Sequence, residues 1–311
     1  MKKWILKAIV QKTISFLPFK HRINFLFQKY VTKGLFLTDI YFEDRLIHAS
    51  NHLKGYQKLS GKNIPAKALE LGTGWYPVVP ITLFLCGADE IHSIDVAELT
   101  NKDFLITTLV KYVHYLNNPS KKKLFTGLPL INIRIKILNE LLTKKDSTSL
   151  NEMLSSLNLK YKVTDATKTD YPSGYFDLVN SNNTFEHIYP EVLEKILLEF
   201  KRITKPIGGV MSHFIDLSDH FAHFDKTITI YNFLKFSDSK WKWINNSIQP
   251  MNRLRINDYL EIYRKLNIPV TQIQNRKFNI EEVKAVDVAE KYKRYSLEDL
   301  AVSHSYVFSK F

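Results

Sequence analysis

The architecture of this chain is written most plainly in Ala68-Leu69-Glu70-Leu71-Gly72-Thr73-Gly74-Trp75-Tyr76-Pro77. An apolar run ending in Glu-Leu-Gly-Thr-Gly reads as a buried strand entering a sharp turn, with glycines where a side chain would block an approaching ligand. Asp95 closes the next apolar segment, at the distance where an acid can grip a ribose diol. The pair suits a nucleoside. A dinucleotide fold wants a third glycine two to three residues further on, so that the following helix can set its N-terminus on a pyrophosphate. Here Trp75 and Tyr76 stand in that place, and Pro77 opens a helix through Val78, Val79, Ile81, Phe84 and Leu85. A phosphate-free ligand fits better.

Two later segments extend the pattern. Tyr161-Lys162-Val163-Thr164-Asp165-Ala166 reads as a short strand ending in an acid, and Ser173-Gly174-Tyr175-Phe176-Asp177-Leu178-Val179 as a tight turn feeding a buried strand. Phe185-Glu186-His187-Ile188 follows after a short polar stretch. From residues 66 to 216 this series resembles the class I S-adenosylmethionine-dependent methyltransferases of the type 11-like kind. The resemblance implies that Glu70, Gly72 and Gly74 face the methionine part of S-adenosylmethionine, that Asp95 holds the ribose hydroxyls, and that Asp165 and Ala166 meet the adenine edge. Asn180, near the end of the fourth strand, is counted with these cofactor-binding residues. The family's usual third glycine is replaced by Tyr76.

The implied fold class is α/β. It is a Rossmann-like, seven-stranded, mostly parallel sheet with helices on both faces, a helical N-terminal extension and helical insertions. Strands are expected at about 66–71, 90–95, 160–165, 176–181 and 210–215, with Val270 to Gln274 and Val302 to Phe308 forming an antiparallel edge. Pro190 begins a helix that packs Val192, Leu193, Ile196, Leu197, Phe200 and Ile203, and Asn257 can cap another through Leu260, Ile262 and Leu266. Residues 1–60 are assigned to a helical extension capping the cofactor site. Residues 61–311 form the methyltransferase domain, with insertions at about 98–158 and 216–256. The first insertion reads as two or three helices forming a lid.

Composition agrees with an enzyme. The chain has 311 residues, 45% of them hydrophobic, which is enough for a full core. The single cysteine, Cys86, lies on an apolar helix face, which excludes an intrachain disulfide and points to a reducing cytoplasm. The net charge of +13 will attract acidic surfaces without naming one. Residues 1–17 place Trp4, Ile5, Ala8, Ile9 and Ile14 near one helical face and Lys3, Lys7 and Gln11 near another, before Pro18 stops the pattern. Lys7 interrupts the apolar run, so the segment cannot span a bilayer. It can lie on an anionic membrane surface or pack on the catalytic domain.

The second insertion carries the candidate chemistry. Asp216-Leu217-Ser218-Asp219-His220-Phe221-Ala222-His223-Phe224-Asp225 places two histidines among three acids, and Phe233, Phe236, Trp241, Trp243, Arg253 and Arg255 follow. A hydroxyl acceptor benefits from a base with a pKa near working pH, which suits histidine. His220 or His223 can take the proton, oriented by Asp216, Asp219 or Asp225, and His187 is a third candidate beside the fourth strand. His220-x-x-His223 lacks a third ligand of defined spacing, so no metal is assigned. The aromatic rings can stack on a sugar or form the insertion's own core, and the two arginines can clamp an anion or make surface ion pairs.

The expected activity is methyl transfer to a small-molecule or glycan acceptor at oxygen. A weaker resemblance, carried by the histidine and aromatic segment with the basic N-terminus, is to bacterial surface-polysaccharide methyltransferases. Methylation of exocyclic base nitrogens is disfavoured, since the resembled enzymes with that activity carry a polar residue, two prolines and an aromatic where this chain has Asn180-Ser181-Asn182-Asn183. Cytosine C5 methylation lacks its nucleophilic cysteine, and no nucleic-acid module is present. An RNA methyltransferase and a non-catalytic adenosyl-binding scaffold stay open as alternatives. The oligomeric state is unknown.

Overall fold

The computed structural model describes residues 2–19, 23, 36–118, 122–277 and 279–311. Residues 20–22 and 24–35 of the expected helical extension, with Phe25, Leu26 and Tyr30 among them, lie outside these. Seven strands form one sheet: β1 Lys67–Leu71, β2 Glu90–Asp95, β3 Leu159–Val163, β4 Leu178–Asn182, β5 Val210–Asp216, β6 Gln272–Lys277 and β7 Val302–Lys310. Their order is β3-β2-β1-β4-β5-β7-β6, with β7 antiparallel to both neighbours and the other pairings parallel. The two-residue strand period divides the core between the faces. Ala68, Leu178 and Val210 face one cluster, while Leu69, Val179 and Met211 face the other.

The first face is covered by α1-independent helices that all belong to the main core: α2 Asp39–Ser60, α3 Val78–Cys86, α4 Lys102–Leu116, α5 Ile131–Thr143 and α6 Leu150–Ser156, where α1 is Lys3–Ile14. Thr38 caps α2 by accepting from Tyr41 N at 3.2 Å, and Gly61 ends it in the left-handed region. Phe42, Leu46, Ala49, Leu53 and Tyr56 are buried, and Ile47 points outward. Gly55 lets the helix sit on β7, since a Cβ there would fall 2.1 Å from the Phe308 ring. The expected lid is therefore corrected. Leu105, Leu109, Tyr112, Leu138 and Leu141 bury one face of α4 and α5 against α3, and Arg134 donates to the carbonyls of Phe84 and Ala88. Its apolar stripes have a core to cover, and only its entry loop at residues 96–101 borders the ligand cleft.

The second face is covered by α7 Pro190–Ile203 and α10 Ile256–Lys265. Leu193, Ile196, Leu197, Phe200 and Ile203 of α7 are buried, each worth roughly 1.5–3 kcal/mol of burial, while Val192 stays half-exposed. Helix α10 starts two residues earlier than Asn257 capping requires: Asp258 accepts from Arg255 N at 2.8 Å, and the Asn257 amide goes to Asp299.

A third cluster closes the segment after β5, which carries α8 Phe221–Phe224 and α9 Asp238–Ile244. Phe221, Tyr231, Phe233, Leu234, Trp241 and Met251 pack with Trp4 and Ala8 of α1. Trp4 N donates to Asp225 at 3.0 Å, so α1 is docked on this insertion. Its inward face is Trp4, Ala8, Gln11 and Ile14, and Ile9 lies outside. Among the described residues no helix is long and apolar enough to cross a membrane.

Candidate active site

The carboxyl ends of β1, β2, β4 and β5 open into one cleft of about 1040 Å³, large enough for two ligands side by side. Glu70, Gly72, Gly74 and Asp95 line one part of it, and His187, Asp216, His220 and His223 another. The glycines do different work. Gly72, at φ +78, would place a Cβ 2.4 Å from Thr184 Oγ1, so it permits the turn to pack on the loop after β4. Gly74, at φ +73, would meet nothing within 4 Å; its bare backbone faces open space and donates to Asp95 Oδ2 at 3.2 Å.

Burial pushes both carboxyls of this end upward. Glu70 rises to about 7, although Thr73 and Asn182 donate to it, and Asp95 rises to about 7 by burial against the Gly74 N–H. Behind Glu70 lies a buried relay. Asn182 donates to Glu70 Oε1 at 3.2 Å and its Oδ1 lies 2.8 Å from His52 Nε2, while His52 Nδ1 lies 2.6 Å from Ser212 Oγ. Burial lowers His52 to about 3, so the ring is neutral and donates through Nε2 while accepting from Ser212.

Not every residue in the implied cofactor set lines the cleft. Asn180 is fully buried and donates to Leu69 O at 3.1 Å; Asn182, two residues on and on the same strand face, is the one at the cleft. Asp165 lies beyond the end of β3 and accepts from Thr167 N at 2.8 Å, and Ala166 packs with Leu71 and Ile94. Neither is part of the lining. Tyr41 and Arg45 of α2 are residues that sequence reasoning missed. Arg45 sits over the Tyr41 ring at 4.8 Å, and its Nε has no hydrogen-bond partner. A Tyr-x-x-x-Arg spacing on a helix offered the signal, hidden among ordinary surface charges.

At the other end Asp216 gathers the histidines. Its Oδ2 lies 3.3 Å from His220 Nε2 and 3.9 Å from His223 Nε2, and its Oδ1 lies 3.5 Å from His304 Nε2. Burial pushes the Asp216 carboxyl up, but the adjacent His220 and His223 prevail and hold it well below the usual range. His304, on β7, is another residue the sequence did not flag. Asp219 and Asp225 do not orient the histidines. Asp219 accepts from Phe221 N and Asn232, and Asp225 from Trp4 N and Thr227. His187 is held by Pro250 O at 2.7 Å, and burial, then His220, pushes it down to about 4.

The two arginines are structural. Arg253 donates to the carbonyls of Phe233 and Phe236 and to Asp238, and Arg255 to those of Leu217, Leu300 and Val302. Both are buried, so neither clamps an acceptor. Phe233 and Trp241 form the insertion's core, and Trp243 points outward at 82% exposure. The aromatics bordering the cleft are instead Tyr41, Trp75 and Tyr76. Cys86 is buried and its thiol is pushed up to about 12 by that burial, which removes it as a nucleophile at neutral pH.

Residues 133–212, from α5 through β5, match the family model described as a methyltransferase domain. No curated protein matches the chain in sequence. Among solved structures, a methyltransferase-like protein from Bacillus halodurans C-125 is 14% identical over 84% of this chain and 98% of its own, with a TM-score of 0.42. A protein from Pyrococcus horikoshii OT3 is 15% identical over 87% and 91%, with a TM-score of 0.47. Phosphoethanolamine N-methyltransferase 2 of Haemonchus contortus, solved with S-adenosyl-L-methionine, is 13% identical over 91% of this chain and 59% of its own, with a TM-score of 0.45. Residues 133–212 thus match a methyltransferase domain, and the sheet order with the glycine turn at the end of β1 is the Rossmann-like fold of methyltransferases. S-adenosylmethionine is the cofactor that the sequence resemblance implies. The residues present fit that group: Gly74 leaves backbone open to the cleft, and Asp95 stands buried at the end of β2.

Proposed function

We propose that the enzyme methylates a hydroxyl of a small molecule or glycan, with histidine as proton acceptor. The observation that carries this reading is the shared cleft, in which the glycine turn and Asp95 lie with the histidines around Asp216. S-adenosylmethionine supplies an electrophilic methyl group on a sulfonium. Asp95 would accept from its ribose hydroxyls, Gly74 would leave room for its methionine part, and Arg45 would pair with its carboxylate. The Asn182 relay holds Glu70 in place behind the turn. The sulfonium needs no proton, so the chemistry asked of the protein is alignment, exclusion of water and removal of the acceptor proton.

His223 is the histidine best suited to that removal. Its side chain is 58% exposed and so open to an acceptor, and its Nε2 lies 3.9 Å from Asp216 Oδ2. With the cofactor bound, the methyl group would come from its sulfonium, whose sulfur would keep the bonding electrons, and His223 would take the proton that the acceptor hydroxyl gives up. His223→Gln is expected to leave S-adenosylmethionine affinity within about twofold and to slow methyl transfer by roughly 10²–10⁴-fold. The acceptor is found by incubating the enzyme with methyl-labelled cofactor and a source-cell extract. Label on nitrogen or carbon alone would sink the hydroxyl reading.

The same proposal assigns the enzyme to surface-polysaccharide synthesis at the cytoplasmic face of an anionic membrane. Support comes from the outer side of α1, where Leu6, Ile9, Phe16 and Leu17 remain exposed. Ile9, Phe16 and Leu17 share a shallow groove with Trp243 and Lys12. Apolar groups beside lysines on a chain of net charge +13 suit an anionic lipid surface.

A further inference from the structure

Glu186 is 3% exposed, and neither of its carboxylate oxygens has a partner of hydrogen-bond geometry. A buried carboxylate without a partner costs several kcal/mol, on the order of what an unsatisfied buried polar group costs or more. Such a group calls for a cation. None of the lysines or arginines among the described residues forms an ion pair with it.

The groups nearest Glu186 are ligands of another kind. One carboxylate oxygen of Glu186 and one ring nitrogen each of His187 and His220 all lie within 4.8 Å of one another. The rings of His187 and His220 meet edge to face at 4.9 Å between centroids. Pro250 O can only accept, so His187 Nδ1 carries the proton of that 2.7 Å contact and its Nε2 lone pair is left over. A backbone carbonyl behind one imidazole nitrogen is how a metal-bound ring is usually oriented. His220 Nε2 is buried and lies 3.3 Å from Asp216 Oδ2, off the line of a hydrogen bond. Asp216 thus adds a second carboxylate at the rim of the cluster.

We propose that Glu186, His187 and His220 hold a divalent transition-metal cation of the Zn²⁺ or Mn²⁺ class at the acceptor end of the cleft. Bonds of about 2.1 Å set three ligand atoms about 3.4–3.6 Å apart around one ion, so the side chains, now within 4.8 Å of one another, close on it by up to about an ångström through rotation of their own torsions. Two imidazoles and one carboxylate favour such an ion over Mg²⁺ or Ca²⁺, which take oxygen ligands. Three protein ligands leave coordination positions open, and His187 and His220 both line the cleft. An acceptor hydroxyl held there loses its proton more easily, and His223, outside the three ligands, remains to take it. This role rests on the methyl-transfer reading above; the binding of the ion does not.

The experiment is direct titration of untagged, chelator-stripped protein with Mn²⁺ and with Zn²⁺, read by calorimetry and, for Mn²⁺, by water-proton relaxation. One equivalent is expected to bind the full chain. Glu186→Gln and His187→Ala should each weaken binding by at least about tenfold, the lower end of what even outer-shell changes cost. Both variants should bind S-adenosylmethionine within about threefold of wild type, which shows that they are folded. A wild type that binds no equivalent of either ion at millimolar concentration, or a Glu186→Gln variant that binds as tightly, overturns the site. Methylation of a hydroxyl by an enzyme that binds no ion would overturn the site and leave the methyl-transfer reading standing. Ion binding without hydroxyl methylation would do the reverse.

Discussion

The backbone N–H of Gly74 donates to Oδ2 of Asp95 across 3.2 Å, joining the turn after β1 to the end of β2. The contact uses one face of the carboxylate and leaves the rest for a diol. Replacing Asp95 by Asn keeps the size of the group and removes its charge. Hydrogen bonds to a charged group are worth about 1.5–3 kcal/mol, so Asp95→Asn should weaken S-adenosylmethionine binding by roughly 10- to 150-fold in calorimetry. Equal affinities would remove Asp95 from the cofactor site.

The same burial makes the ligand-free protein sensitive to pH. Glu70 and Asp95 are raised to about 7 in the fold, against ordinary values near 4 in an unfolded chain. Between roughly pH 4 and 7 the folded state therefore binds more protons than the unfolded one. Their stabilisation is complete below about pH 4 and is lost as pH rises through about 7. Melting temperatures of the ligand-free protein should fall across that window, and Asp95→Asn should fall less. Parallel curves for the two proteins would show that the Asp95 carboxyl is not raised.

The two turn glycines should separate stability from binding. Gly72→Ala meets both a positive φ and the Thr184 side chain, whereas Gly74→Ala meets the positive φ alone. The left-handed backbone costs a non-glycine residue about 1–2 kcal/mol. Gly74→Ala should lose about that much stability and also bind cofactor more weakly, while Gly72→Ala should lose more stability. Thermal melts with and without S-adenosylmethionine distinguish the two.

Trp243 gives the membrane surface its own test. It is 82% exposed, and Trp243→Ser removes apolar area from the groove beside α1 without touching the core. Sedimentation with vesicles rich in anionic phosphatidylglycerol should capture the wild type more strongly than the variant, and neutral vesicles should capture neither. Capture that is equal for both proteins would dismiss this face as a lipid contact.

Each of the seven strands appears near its expected place, and the central parallel ones were the most legible because buried parallel strands are short apolar runs bounded by turns. The glycine turn and the acid ending β2 were legible as a pair because few residue types suit a sharp turn after a buried strand, and the fold sets both at one cleft. Side-chain direction was not. Asn180 and Asn182 lie on one strand face, and only the depth of each in the sheet separates a buried amide from a cleft residue. Arg253 and Arg255 look like anion clamps in a list of residues, yet their guanidinium groups close loop carbonyls. The histidine spacing His220-x-x-His223 suggested a pair, whereas the fold joins His220 to Glu186 and His187 from a different segment. Such pairings arise from strand order, which brings the ends of β4 and β5 together.

Helix α1 lies under the acceptor wall. Trp4 packs on Phe221 at 5.9 Å between ring centroids, and Lys7 and Gln11 share a small void with His220 and Phe221. The first helix is thus a foundation for the histidine that follows β5, and its opposite face is the one turned toward the groove with Trp243. Whatever leans on that outer face also leans, through one layer of side chains, on the place where the acceptor waits.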